Sequence, residues 1–237
     1  STGEIIRGES SITKAGGVID HVYITPTRVK ANEDVLKAIE EADYIVMGPG
    51  SLYTSIIPNL VISQVSEKIR ESTAKKIYIS NVMTQHGETD NFKVSDHIEA
   101  INKHVGENIF DIVIANSRVF DEDVLARYRK EKQEAVEIDY EKIAELGIEL
   151  IENNDVGIVE NNTIRHNAEK VAISLVVGNT VPLTFNILLI TFTAVEKSPC
   201  ISVIAASIRF PTGCPFTSPL SNLYWNIFSK YGSTSDN

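Results

Sequence analysis

Cysteine is nearly missing from this sequence. The only two, Cys200 and Cys214, fall close to the end, and residues 1–199 hold none. A disulfide-stapled or cysteine–zinc body is thereby excluded for that stretch, and a cytoplasmic setting is expected. Basic residues are also scarce: 22 Lys and Arg stand against 32 Asp and Glu, for a formal charge of −10. No Lys/Arg cluster is interleaved with aromatics, and an acidic surface repels phosphate backbones, so nucleic acid is not an expected partner. No signal-peptide pattern opens the sequence. Signatures of covalent or metal catalysis are missing too, with no G-x-S-x-G, no H-E-x-x-H and no paired cysteine ligands. Carboxylates are plentiful, but their spacing pairs no two as acid and base.

At 237 residues and 43% hydrophobic, the chain has enough apolar material for one sizeable core. Its composition changes abruptly near Val177. From there on the only charges are Glu196, Lys197, Arg209, Lys230 and Asp236, while both cysteines and the single Trp225 lie in this part. Residues 1–176 therefore read as an α/β domain and 177–237 as an atypical, charge-poor tail of foreign or frameshift-like character. The run Val171–Val195 has no charge and is long enough to span a bilayer. Its glycine, proline, asparagines and many β-branched residues favour buried or loosely packed strands instead, and no membrane partner is expected.

Strand and helix patterns alternate along the body. Val18–Thr25 alternates as a strand would and stops at Pro26. Asn32 is a suitable N-cap for a helix over Glu33–Ala42, with acids in its first turn. Tyr44–Met47 reads as a strand, Pro58–Glu71 as a helix, Lys76–Ser80 as a strand, and Ser95 as the cap of a helix to about His104. Phe110–Ala115 is a strand, Tyr140–Leu146 a helix ended by Gly147, Ile148–Ile151 a strand, and Ala168–Val176 a helix. This order predicts a Rossmann-like three-layer α/β fold with a mostly parallel sheet.

The most informative stretch is Asp43–Leu60, DYIVMGPGSLYTSIIPNL. A short apolar strand runs into Gly48-Pro49-Gly50-Ser51 and then into a hydroxyl-rich helix start. Glycines without a Cβ allow a tight turn and close approach of a ligand, and a helix N-terminus favours an anion. Ser51, Thr54 and Ser55 add hydroxyl donors. The loop matches neither G-x-x-x-x-G-K-[ST] nor G-x-G-x-x-G. The residues alone read as a phosphate-friendly loop or as a plain βα turn with glycine for geometry.

A second polar loop, Asn81-Val82-Met83-Thr84-Gln85-His86-Gly87-Glu88-Thr89, follows another buried strand. Asn81 and Gln85 suit the edge of a base or sugar hydroxyls, and Glu88 suits a ribose diol or a metal ion carried by a diphosphate. Both loops follow strands of one parallel sheet, so both should face one cleft at the strands' carboxyl ends. The alternative is a solvated surface loop. Asp96 and His97 are adjacent on a helix and point about 100° apart, which makes them a poor catalytic pair. A phosphate contact from Arg165 is a further candidate.

GPGSLYTSIIPNL, followed by NVMTQHGETDNFKVSDHIEA at Asn81–Ala100, resembles the bacterial gluconeogenesis-factor family (YvcK-like), related to the 2-phospho-L-lactate transferases (CofD-like). GEIIRGESSI at Gly3–Ile12 and RHN at Arg165–Asn167 fit in the same order, and the resemblance covers roughly Gly3 to Val171. The family's opening GGGTG turn and its aspartate-rich DDGGSSG segment do not occur here, so the chain is expected to begin partway through that domain. The resemblance implies a ligand of nucleotide-sugar type bound by Gly48, Pro49, Gly50, Ser51, Leu52, Thr54, Ser55, Asn81, Thr84, Gln85, Gly87, Glu88 and Thr89. It also implies a regulatory part in cell shape and envelope synthesis during gluconeogenic growth. The alternative it carries is a transferase moving a phospholactyl-type group from a nucleotide diphosphate carrier to a hydroxyl. No catalytic residue and no protein-held metal is assigned. Mg²⁺ on the ligand and a homodimer are the accompanying expectations.

Overall fold

A computed structural model of the chain describes residues 5–7, 11, 15, 17–26, 29–177, 184–190 and 203–209. Most of the Gly3–Ile12 motif lies outside them, as do Cys200, Cys214 and Trp225.

Helix α1 (Glu33–Glu41) starts where its sequence says it should. Asn32 accepts the Asp34 N–H at 2.8 Å, and Glu33 and Asp34 occupy the first turn. Strand β1 (Tyr44–Met47) follows, and then a π-helical turn over Leu52–Ile56 runs into α2 (Ile57–Leu60). The single helix expected over Pro58–Glu71 is broken. Ile62 adopts an extended conformation that buries its side chain, and α3 (Ser63–Glu71) begins anew. Next come β2 (Lys75–Ile79), α4 (Val94–Val105), β3 (Ile112–Asn116), α5 (Glu122–Lys130), α6 (Tyr140–Glu145) and β4 (Glu149–Asn153). A hairpin of β5 (Gly157–Glu160) and β6 (Thr163–His166), then α7 (Ala168–Val177), β7 (Thr184–Ile190) and β8 (Val203–Arg209), complete the described elements.

The sheet order is β4-β3-β2-β1-β7-β8. All pairings are parallel except β7 with β8, which is antiparallel. Two strands from the charge-poor segment thus extend the sheet beyond β1, in register Tyr44 to Ile187 through Met47 to Ile190.

Alternation along the strands divides the core into two layers. Ile45, Met47, Tyr78, Val113 and Ala115 face the side that holds Ile39, Ile57, Ile69, Ile98 and Ile143, from the helices α1 to α4 and α6. Val46, Ile77, Ile79, Ile112 and Ile114 face Val124 of α5, Ile164 of the hairpin and Val171 of α7. A parallel sheet covered on both faces reads as continuous apolar strands, as these do. The architecture is the expected three-layer α/β fold with a mostly parallel sheet.

Two local readings differ. Val18–Thr25 is irregular, bends at Thr25 and joins no strand among the described residues. Its backbone is held by side chains of α4 rather than by a neighbouring strand: the Val22 N–H bonds His104 Nε2, and the Asp20 carbonyl accepts from Lys103. Ser95 is not the cap of α4. The helix begins one residue earlier, and Ser95 uses both its N–H and its hydroxyl to bond the Asp139 carboxylate, 44 residues away. Asp96 accepts the Lys93 N–H at 2.7 Å, as a first-turn acid does. Among the described residues no helix is long and apolar enough to cross a membrane.

Candidate ligand-binding site

Both motif loops leave the carboxyl ends of adjacent strands, β1 and β2, and meet over one cleft of about 270 Å³. Its wall contains Gly50 and Ser51 from the first loop and Asn81, Thr84 and Gln85 from the second. Gln85 Nε2 donates to Ser51 Oγ at 2.8 Å, which ties the loops together.

The first loop is set by Gly48. Its φ is +95°, and a Cβ there would sit 2.8 Å from the Ile79 carbonyl of β2. Its glycine is thus required by the tight turn, which the sequence had suggested together with ligand approach, and by close packing of two strand ends. The Gly48–Pro49 peptide is cis. Beyond Ser51, whose carbonyl accepts the N–H groups of Ser55 and Ile56, Leu52 and Tyr53 turn into the core. Leu52 is fully buried and does not line the cleft.

The second loop is pinned from both sides. Thr89, fully buried, accepts the Gln85 N–H on its hydroxyl and returns its own N–H to the Gln85 carbonyl. Glu88 N–H also bonds that carbonyl. Gly87 N–H donates to Asp90 Oδ2, while His86 Nδ1 pairs with Asp90 Oδ1 at 2.8 Å. Burial works against ionisation of Asp90, but these two bonds together with the nearby His86 and Lys132 hold the carboxyl below its usual range. Underneath, the segment 134–139 acts as a strut. Thr84 exchanges bonds with Glu134 through its N–H and its hydroxyl, Val136 N–H bonds the Val82 carbonyl, and Val94 N–H bonds that of Glu137.

Of the predicted set, then, Gly50, Ser51, Asn81, Thr84 and Gln85 line the cleft. Gly48, Pro49, Leu52, Thr54, Ser55, Gly87, Glu88 and Thr89 do not line it. The opposite wall is Tyr128 and Gln133 from the α5 region together with Ile164, Arg165 and His166 from β6. Arg165 is exposed and makes no ion pair among the described residues. His166 Nε2 donates to the Ser80 carbonyl at 3.0 Å, and burial pushes its imidazole below the usual value, with the Ser80 bond opposing. Tyr128 OH accepts the Ile164 N–H at 2.6 Å, fixing the hairpin that carries Arg165. Arg165 was a candidate from the sequence. Tyr128, Gln133, Ile164 and His166 were not, although His166 belongs to the RHN motif quoted for the resemblance.

His97 lies outside the cleft. It is fully buried, donates from Nδ1 to the Lys93 carbonyl, and burial lowers its basicity. The cleft wall offers amides, hydroxyls, one guanidinium and backbone, with no carboxylate among the described lining residues. Such a set suits phosphate and sugar oxygens, while Mg²⁺ held by protein calls for carboxylates.

The chain matches the family model of 2-phospho-L-lactate transferase CofD over residues 1–156. It is 46% identical over 176 residues to the gluconeogenesis factor of Halalkalibacterium halodurans, covering 74% of this chain and 54% of that protein. To the gluconeogenesis factor of Bacillus subtilis it is 39% identical, covering 73% and 55%. Two crystal structures of a Bacillus halodurans protein, one described as a member of the UPF0052 family, are similar at TM-scores of 0.69 and 0.70. Each is 45% identical and is matched over 73% of this chain, covering 55% and 56% of those chains. The chain thus spans little more than half the length of these relatives.

Proposed function

This chain belongs to the family of 2-phospho-L-lactate transferase CofD and is similar to its gluconeogenesis-factor members, and from that premise we propose that its cleft binds a nucleotide-sugar. One observation carries the reading. The Gly50–Ser51 loop, the Asn81–Gln85 loop and Arg165 converge on a single cleft. A guanidinium opposite a glycine loop is a fork-shaped phosphate clamp, and the amides of Asn81 and Gln85 supply hydrogen bonds for a base or sugar. Magnesium would arrive on the diphosphate of the ligand. In this reading the protein is a cytoplasmic regulator of cell shape and envelope synthesis during gluconeogenic growth, a role that rests on resemblance.

Calorimetric titration of a panel of nucleotide-sugars into the chain tests it. One class should bind, and Arg165→Ala should weaken that class at least tenfold. Absence of binding by every member of the panel would sink the proposal.

The match to the CofD model supports a second reading, phosphoryl transfer. There an acceptor hydroxyl attacks the phosphorus of a nucleotide-linked phospholactyl donor, loses its proton and displaces the nucleoside monophosphate. Release of nucleoside monophosphate in the presence of donor, acceptor and Mg²⁺ would establish the enzyme. Tight binding without turnover would favour the regulator.

A further inference from the structure

The segment 17–24 crosses helix α4 beside the π-helical turn, and its attachment depends on the protonation state of one imidazole. His104 Nδ1 lies 2.6 Å from the Ala100 carbonyl, which can only accept, so Nδ1 carries a proton. His104 Nε2 lies 2.8 Å from the Val22 backbone nitrogen, which can only donate, so Nε2 must be bare. Both contacts hold together only in the neutral ring. A second proton would set an N–H against an N–H and leave the Val22 amide without its acceptor.

The other attachments cannot replace that bond. Lys103 Nζ reaches the Asp20 carbonyl at 2.9 Å and its carboxylate at 2.5 Å, but the two side chains are 52% and 86% exposed. An ion pair so open to water holds weakly. His21 stacks on His104 with centroids 4.3 Å apart and rings 17° from parallel, a contact that turns repulsive when both rings are charged. Behind them Tyr53 meets His104 edge-on at 6.2 Å. The groups facing His104 are therefore Asp20 and His21 from the segment, Lys103 from its own helix and Tyr53 from the π-helical turn.

We propose that residues 17–24 form an acid-released strap, latched to α4 by the neutral His104 imidazole and let go when that ring takes up a proton. Burial keeps His104 below its ordinary value of 6.5, with His21 and Lys103 acting in the same direction, while the Ala100 bond and Asp20 oppose them. The latch is thus closed at and above that ordinary value and opens as pH falls through the lowered one. Tyr53, which meets the latch ring edge-on, stands two residues beyond Ser51 of the first cleft loop.

Amide hydrogen exchange on the full chain tests the latch, with each rate divided by the intrinsic rate at the same pH. Between about pH 8 and about pH 5, across the ordinary imidazole range, protection at Val22 should fall at least tenfold, while protection in β2 and β3 holds. In His104→Phe, which keeps a ring for His21 and Tyr53, Val22 should be unprotected at both pH values. In His21→Phe and Asp20→Asn the pH-dependent loss should persist. A Val22 amide whose protection is unchanged with pH, or whose loss survives in His104→Phe, would overturn the proposal. Nitrogen NMR of the unaltered chain gives an independent reading, because His104 Nε2 should become protonated over the same pH range in which Val22 loses protection. A ring that stays neutral throughout that range also overturns it.

Discussion

Gln85 Nε2 donates to Ser51 Oγ across 2.8 Å, joining residues 34 positions apart that close two different strands of the sheet. The bond brings together two loops that were each informative in the sequence and makes them one wall. Because β1 and β2 are parallel neighbours, both loops leave from the same end of the sheet, and this contact follows from the topology.

The first prediction concerns Gly50, which lines the cleft beside Ser51. Gly50→Val places a branched side chain in the path of a phosphate. Affinity for the nucleotide-sugar found in the panel should fall more than tenfold, about 1.4 kcal/mol or more. Unchanged calorimetric affinity would make the loop a turn and nothing else.

Gly48 should behave differently, affecting stability more than binding. An alanine there needs a positive φ and pushes its Cβ to 2.8 Å from the Ile79 carbonyl. Gly48→Ala should cost about 1–3 kcal/mol, visible as a lowered midpoint in thermal unfolding. A midpoint equal to that of the original chain would show that the strand ends can move apart.

Asp139 provides the third case. Its carboxylate accepts from both the N–H and the hydroxyl of Ser95 in the first turn of α4. Asp139→Ala removes that long-range cap and should cost about 1–2 kcal/mol, with Asp139→Asn recovering part of it. Equal urea midpoints for the alanine and asparagine variants would contradict this account.

Acid should weaken the fold through buried neutral histidines. Burial lowers the basicity of His97 and His166 below the ordinary 6.5. Below that value the unfolded chain takes up more protons than the folded one. Stability is therefore fully present above about pH 6.5 and declines as pH falls toward the lowered folded values. Urea unfolding at a series of pH values should show this slope, and His97→Leu should flatten it. A slope left intact by that substitution would assign the effect elsewhere.

The sequence revealed the sheet because its strands are short apolar runs ended by Gly, Ser or Asn, and Tyr44–Met47 is a strand as expected. It misplaced Val18–Thr25, since alternation every second residue describes any extended chain with one side against protein, whether or not a strand lies beside it. The β5–β6 hairpin went unread although Asn161 and Asn162 both take positive φ, the pairing a two-residue type I′ turn selects. In the site, Gly50, Ser51, Asn81, Thr84 and Gln85 were visible because each loop is a continuous motif. Tyr128 and Gln133 reach the same cleft only through the fold, with nothing in their immediate neighbours to announce it, while Ile164 and His166 flank Arg165, the one residue of that region the sequence had singled out.

The strut over residues 134–139 means that the site is not a portable module. Thr84, Val82, Val94 and Ser95 all take their positions from bonds to a segment roughly fifty residues downstream. A graft of residues 81–89 alone onto another scaffold would carry the chemical groups and leave behind what fixes their spacing. Natural variation faces the same constraint in a useful form, because replacements along the strut can reshape the cleft without altering any group that lines it.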